Sequence, residues 1–501
     1  MYRHQQSEQL KLDIPFGVTL ETQNRWVKLS SIMPWEKIDE KYSENFKGTS
    51  GQIAKSSRLA FGALYIQRKL NLTDEETVMQ IWENPSMQFF CGFDMYSIEK
   101  PFDSSLMVHF RKRLTEEVMK EISEAAFIEE AKKAILNEEK NNQNADDDNN
   151  DDDDENKPKG TLYLDATCIP SDIHFPTDLG LLNHARELTE EVIDILHDSK
   201  EIVGRGMAWG AAVARGDIVV NLLPKPRTYR EVARKSYMNY VKKRKHTSEE
   251  IRFFIRQQLQ YVRRNLDSIE AFKNQGKDMS VLGNELLKKL ETIHEVYRQQ
   301  KYMYDNKVHS VENRIVSISQ PYIRPIVRGK AGAPVEFGAK VATAHIGGFT
   351  FVIHTGYDNF SEAKYLEKTV EEYKRLFGFY PKVVVGDKAY PTMENRKCCK
   401  SKGIRLSCKK MGRMSEEEKE AERKQLYEDN CGRNAVEGDY GIVKRKYGLS
   451  LVMTKLYETT LTAISFGFFV KNMERILRFF VLHLFRRHTI IWYYQTASVL
   501  F

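Results

Sequence analysis

Apolar positions along the chain fall into two periods, and the change between them divides it. Up to about residue 140 they recur every three or four residues, the spacing of a helix face. Ser57 to Ile66 carries such a stripe. Thr73-Asp74-Glu75-Glu76 has the form of a capping box, with Glu76 placed to reach back to the Thr73 amide. The helix starting there is expected to stop at Asn84-Pro85, because the residue before a proline resists helical dihedrals. Further helices are expected over about 87–93, from Ser104 through Leu114, and over 115–140. Before them lies an irregular stretch to about residue 45, anchored by Phe16, Trp26 and Trp35.

After residue 159 strand patterns enter. Thr161 to Asp165 and Val383 to Asp387 are short apolar runs, each ending on an aspartate. Arg314 to Ile318 and Ile404 to Ser407 read as further short strands, and Arg324 to Lys330 as a basic turn. Val335 to His345 and Phe349 to Thr355 read as a hairpin across Gly347-Gly348. Helices are expected from Thr177 to Leu196, over 362–376, 392–402 and 415–446. A long basic helical stretch spans about 224–305, where Ile251, Phe254, Ile255, Leu259, Val262 and Leu266 share one face. The order of elements is that of a mixed α/β fold. Thr459 to Phe485 is the most apolar stretch, but Lys471, Glu474, Arg475 and Arg478 interrupt it. A buried or docking helix is expected there rather than a membrane span.

Composition sharpens this picture in two places. The 501 residues, 41% hydrophobic, suffice for two or three domains with a sizeable core. The formal charge of +7 hides a skew, because Asp146 to Glu155 holds eight acidic side chains and no base. Without them the rest of the chain stands at +15, which favours a polyanionic partner through counterion release. Asn141 to Lys159 is low-complexity and is expected to be a disordered linker at the main domain boundary. Six cysteines do not make a disulfide framework. Cys398, Cys399, Cys408 and Cys431 lack paired C-x-x-C spacing, so reduced thiols are expected rather than a zinc site. The opening MYRHQQSEQLKLDIPFG has no apolar run of the signal-peptide kind.

Three carboxylates stand out as candidate chemistry. Asp165 and Asp387 each close an apolar strand, and ligands of open α/β sheets sit at that carboxyl edge. Glu437 lies on an expected helix, four residues after Arg433 and seven before Lys444, so all three share a similar face. Two strand-end aspartates and a helical glutamate suit a two-metal phosphoryl-transfer site, since hard divalent cations take oxygen ligands. His109, His345 and His354 have no accompanying catalytic spacing and are given no role.

That succession resembles the ribonuclease H-like core of DDE transposases. The chain is most similar to bacterial transposases of the insertion-sequence-four and -five superfamily, in the five-like group. The resemblance runs from about Arg58 to about Leu451. Before the core it rests on LTDEETVMQIWENP and FDSSLMVHFRKRL. Within the core it rests on YLDATCIPSDI, TDLGLLNHAR, TYREVARKSYMNYVKKRK, IRPIVRGKAGAPVEFGAKV and VVVGDKAYPTMEN. The family's last motif, Tyr-x2-Arg-x3-Glu-x6-Lys, is met by Arg433, Glu437 and Lys444, with Asn430 where relatives carry Tyr.

The resemblance implies a helical DNA-binding domain over 1–140, the acidic linker over 141–159 and the catalytic domain over 160–455. A basic helical insertion occupies about 185–310 of that domain, and an apolar helical tail follows over 456–501. It implies Asp165, Asp387 and Glu437 as catalytic residues holding two Mg²⁺ (or Mn²⁺) ions, about 3.5–4 Å apart in such sites. Arg433, Lys444, Arg111, Lys112, Arg113, Arg328 and Lys330 are the expected DNA contacts. The implied partners are double-stranded DNA, as terminal inverted repeats and target, and a second copy of the chain on DNA. No membrane is implied, and the implied setting is the bacterial cytoplasm, at the nucleoid. Two other readings stay open: a ribonuclease H-like nuclease without strand transfer, and a catalytically silent DNA-binding derivative of a transposase.

Overall fold

The computed structural model describes residues 20–21, 23–48, 53–143, 157–198, 225–330, 333–410 and 412–497. Most of the expected linker lies outside these residues. The chain forms two compact units, one of residues 1–172 and 326–501, the other of residues 173–325.

Among the described residues of the first unit seven helices precede the sheet: α1 (Arg25–Ile32), α2 (Trp35–Ser43), α3 (Ser57–Leu70), α4 (Asp74–Glu83), α5 (Pro85–Phe90), α6 (Leu106–Arg113) and α7 (Glu116–Gln143). Local chemistry sets their ends. The Ser56 side chain accepts from the Leu59 amide to open α3, and Asn71 closes it in the left-handed region. Thr73 opens α4 by accepting from the Glu76 amide. The Glu76 carboxylate accepts from Gln80 at 3.0 Å, one turn on. Asn84 then caps α5, with Pro85 at its first position. Helix α3 is buried all round, and Phe61 meets Phe466 and Phe469 of the last helix at ring distances of 4.8 and 5.2 Å.

The sheet contains β1 (Thr161–Pro170), β2 (Pro325–Lys330), β3 (Ala333–Ile346), β4 (Phe349–Gly356), β5 (Val383–Val385) and β6 (Arg405–Leu406). Its order is β2-β3-β1-β5-β6, and β4 pairs with β3 off that path. β1 runs antiparallel to β3 and parallel to β5, and β5 runs parallel to β6. Helices α12 (Leu366–Phe377), α13 (Met393–Ser401), α14 (Glu416–Lys446) and α15 (Tyr457–Ala497) complete the unit. α14 lies on β1 and β5, while α15 packs on α3, α6, α7 and β4. Among the described residues no helix is long and apolar enough to cross a membrane.

Three strand expectations need correction. β1 does not stop at Asp165 but continues to Pro170, because β3 pairs with it from His345 opposite Tyr163 to Gly338 opposite Pro170. Gly338 allows that approach: a Cβ there would fall 2.0 Å from the Ile169 carbonyl oxygen. Residues 314–318 are not a strand; the Ile315 amide donates to the Gln299 side chain at 2.9 Å. Residues 325–330, expected as a turn, form β2.

The second unit is helical: α8 (Asp178–Asp198), α9 (Arg230–Lys242), α10 (Ser248–Asn274) and α11 (Gly283–Asn306). Leu182 and Ile193 of α8 pack with Val262 and Ile269 of α10 and Ile293 of α11. Thr247 and Glu250 form a reciprocal capping box at the start of α10. Ile315 and Ile318, the apolar residues that suggested a strand, are buried in this core.

Candidate active site

The parallel pairing of β1 and β5 ends with Tyr163 opposite Val385. Asp165 and Asp387 each lie two residues beyond that last pair, Asp165 still within β1 and Asp387 past the end of β5. Asp165 is therefore within β1 but beyond its parallel neighbour's end, since the antiparallel partner alone continues. After Val385 the chain turns at Gly386, and Tyr390 folds back beneath it. A Cβ on Gly386 would meet the Tyr390 ring at 2.6 Å. The Asp387 carboxylate accepts from the Ala389 amide at 2.6 Å, which fixes the bend.

Helix α14 presents the third carboxylate. Ser415 and Glu418 cap it reciprocally, three glutamates occupy its first turn and Lys444, Arg445 and Lys446 its last, matching the helix dipole at both ends. Val436, Tyr440 and Val443 form its buried stripe. Upstream, Arg405 donates to both oxygens of Asp429 at 2.7 Å, and Ser407 donates to the same carboxylate at 2.5 Å. At Gly432 the helix comes so close to β1 that a Cβ would lie 2.2 Å from the Tyr163 hydroxyl. The Tyr440 hydroxyl meets Thr343 Oγ1 at 2.6 Å, and Thr343 is the cross-strand partner of Asp165.

Arg433 links the acids. Its Nε lies 3.8 Å from Asp165 Oδ2 and its Nη2 lies 3.5 Å from Glu437 Oε1. The Glu437 side chain is 63% exposed and that of Asp165 only 16%. Burial raises the Asp165 carboxyl above the usual aspartate range; Arg433 and the Ala166 amide act against this, and Asp387 and Glu437 add to it. Among the described residues no three His, Cys, Asp or Glu side chains close on a common metal position. The carboxylates are electrostatic neighbours with a guanidinium between two of them.

The expected DNA contacts divide. Arg433 and Lys444 share α14, with Lys444 half-buried. Lys112 is exposed, and Arg113 is half-buried, donating to the Tyr42 hydroxyl at 3.2 Å and lying over the Phe46 ring. Arg111 must be corrected: it is 6% exposed and donates to both Asp74 oxygens, at 2.9 and 2.6 Å, and to Gln67. A cation held in that way ties α6 to α4 and is not offered to DNA. Arg328 and Lys330 lie on β2, and their side chains are outside the described residues.

Sequence reasoning passed over Asp439. It sits between Val436 and Tyr440 on the buried stripe, and its carboxylate meets His345 at 3.0 Å and Thr350 at 2.8 Å. A charged residue at an apolar-stripe position was the available signal. His345, given no role above, is one of its partners, while His354 stacks on Tyr365.

Comparison with known proteins finds transposase families in two stretches of the chain. Residues 384–474 match the family described as a transposase DDE domain, a span that includes Asp387 and Glu437. Residues 17–113 match a second family, described as a transposase domain. A 100-residue stretch is 37% identical to an uncharacterized protein, ORF8 in the nfe locus of Rhizobium meliloti. It covers 20% of this chain and 48% of that relative, so the chain spans about half the relative's length. No solved structure matches.

Proposed function

We propose that this chain, which carries two transposase domains, binds the terminal inverted repeats of its insertion sequence and catalyses phosphodiester hydrolysis and strand transfer into target DNA. The observation that carries the reading is the pair of aspartates, each two residues past the last pair of parallel β1 and β5, with Arg433 reaching from Asp165 to Glu437.

The donor set fits divalent cations. All three candidate ligands are carboxylates, which suits Mg²⁺ or Mn²⁺. Asp165 is disfavoured as an anion by burial first and by neighbouring carboxylates after it, and a bound cation would offset both. Asp165, Asp387 and Glu437 would hold two such ions, which supply Lewis-acid stabilisation and an activated water or 3′-hydroxyl oxygen. The chain's own residues do the rest. Arg433 offers a guanidinium to the phosphate beside the acids, a charge-assisted contact with directional donors. Tyr390 and Tyr440 are both buried, Tyr390 an electrostatic neighbour of Asp165 and Asp387 and Tyr440 of Asp165.

DNA is held on this reading by the basic body through counterion release, with Lys112 and Lys444 among the contacts. Two element ends must be brought together, so the working form is a homodimer on DNA, at the bacterial nucleoid. The test is a cleavage and joining assay on labelled element ends, with Mg²⁺ or EDTA, beside Asp387→Asn. Cutting without joining would favour a nuclease, and binding without cutting a silent DNA-binding protein.

A further inference from the structure

Glu437 has little to hold it in place at its own tip. Its side chain is mostly exposed, and the Arg433 contact is long at 3.5 Å. Its position therefore comes from the rotation of α14. Two residues later, about 200° round the helix, Asp439 points the other way and is 13% exposed. Any rotation that moves one moves the other.

Asp439 is held by three elements at once. His345 of β3 meets its carboxylate at 3.0 Å, Thr350 of β4 donates at 2.8 Å, and Lys471 of α15 pairs with the same oxygen. His345 and Thr350 are cross-strand partners and meet each other at 3.2 Å. Lys471, itself 6% exposed, donates as well to Thr350 at 3.1 Å and to the Gly348 carbonyl at 3.3 Å. Asn472 brackets Thr350, accepting from its amide at 3.0 Å and donating to its carbonyl at 2.8 Å. One residue further on, Tyr440 bonds Thr343, opposite Asp165. Consecutive residues of α14 are thus pegged to His345 and Thr343, which alternate on one face of β3.

We infer that the buried Asp439–Lys471 pair, seated on His345 and Thr350, sets the rotation of α14, which makes Asp439 a positioning residue for Glu437. The inference rests on the reading of Glu437 as a site carboxylate. Its physical ground is that a buried ion pair rarely adds stability over a well-packed apolar pair, and that its best-attested use is to fix register. Val436, Tyr440 and Val443 supply the apolar grip of the helix, and Gly432 its close approach to β1.

The experiment replaces the pair with apolar residues, Asp439→Leu with Lys471→Met, in the full chain. MnCl₂ is titrated into the protein without DNA by calorimetry, thermal unfolding is followed in EDTA, and cleavage of element ends is measured across Mg²⁺ concentrations. The double variant is expected to unfold near the wild-type temperature, to bind Mn²⁺ roughly 10–100-fold more weakly and to need correspondingly more Mg²⁺. Thr350→Val strands no charge, and is expected to weaken Mn²⁺ binding several-fold. Wild-type Mn²⁺ affinity in both variants would overturn the inference, because a merely structural pair moves the unfolding temperature alone. If Asp387→Asn binds Mn²⁺ as the wild type does, the reading of the site itself fails and takes the inference with it. That outcome is told apart because it needs no substitution at Asp439.

Discussion

Gly432→Ala is the most informative single change, because it separates the position of α14 from the stability of the chain. The added Cβ would stand 2.2 Å from the Tyr163 hydroxyl oxygen, 2.7 Å from Cζ and 2.8 Å from Cε1. Carbon atoms pack best at about 3.5–4.0 Å, so the Tyr163 ring must swing aside or the helix and β1 must part by roughly 1 Å. Two energetic effects oppose each other. Alanine is preferred over glycine inside a helix by about 0.8–1.0 kcal/mol. Overpacking costs typically 1–3 kcal/mol. The net loss of stability is therefore about 0–2 kcal/mol, small enough for the protein to fold. Catalysis is more exposed, since a misplacement of about 1 Å can cost about 100-fold in rate. The assay compares single-turnover cleavage of labelled element ends at saturating protein with unfolding in urea. Relief is built into the test: Tyr163→Phe removes the nearest atom and is expected to restore part of the activity to Gly432→Ala. Wild-type cleavage by Gly432→Ala would refute the claim that close packing of α14 on β1 positions Glu437. So would an equal loss in the presence and absence of Tyr163→Phe.

Other substitutions test separate parts of the account. Burial alone would raise the Asp429 carboxyl, but hydrogen bonds from Arg405 and Ser407 outweigh it and hold it below the usual aspartate range. A carboxyl lowered in the folded state contributes stability above the ordinary aspartate range and loses it as pH falls through the folded value. Asp429→Asn should therefore melt below the wild type at pH 7, and the gap should narrow in acid; a gap independent of pH would count against the ion pair. Arg111→Met removes the cation paired with Asp74 and should cost about 3 kcal/mol or more in urea unfolding. It should leave the salt dependence of DNA binding unchanged. Lys112→Ala should do the reverse, reducing the slope of log K against log salt by about 1 with stability intact. If the two exchange these phenotypes, the assignment of Arg111 as structural is mistaken.

Much of the fold was legible because its signals are local. The cap at Thr73 and the Asn84-Pro85 stop lie within a few residues of the helix ends they set. The hairpin across Gly347-Gly348 carries its own turn. Apart from α1 and α2, which lie in a stretch expected to be irregular, what failed was non-local. β1 continues past Asp165 only because β3, far along the chain, pairs with Ala166 through Pro170. Residues 314–318 are apolar enough to suggest a strand, but Gln299 takes the Ile315 amide and the helices bury Ile315 and Ile318. Pro325 and Gly329 suggested a turn, yet a proline is tolerated at the first position of a strand.

The site divides in the same way. The order and spacing of Asp165, Asp387 and Glu437 could be read along the chain, whereas their supports could not. Asp439 looked like one more helical acid until His345, Thr350 and Lys471 were seen around it. Arg111 sat in a basic run with Lys112 and Arg113, and only Asp74, 37 residues earlier, shows that it faces inward.

The central claim is that Asp165, Asp387 and Glu437 act together on DNA with divalent cations. Its most direct test is the fate of end-labelled terminal-repeat DNA incubated with the wild type and with Asp165→Asn, Asp387→Asn and Glu437→Gln, each with Mg²⁺ or EDTA. The account predicts cut and joined products from the wild type with Mg²⁺ alone, and loss of both in every variant while DNA binding persists. Products that survive EDTA, or any one of the three substitutions, would contradict it.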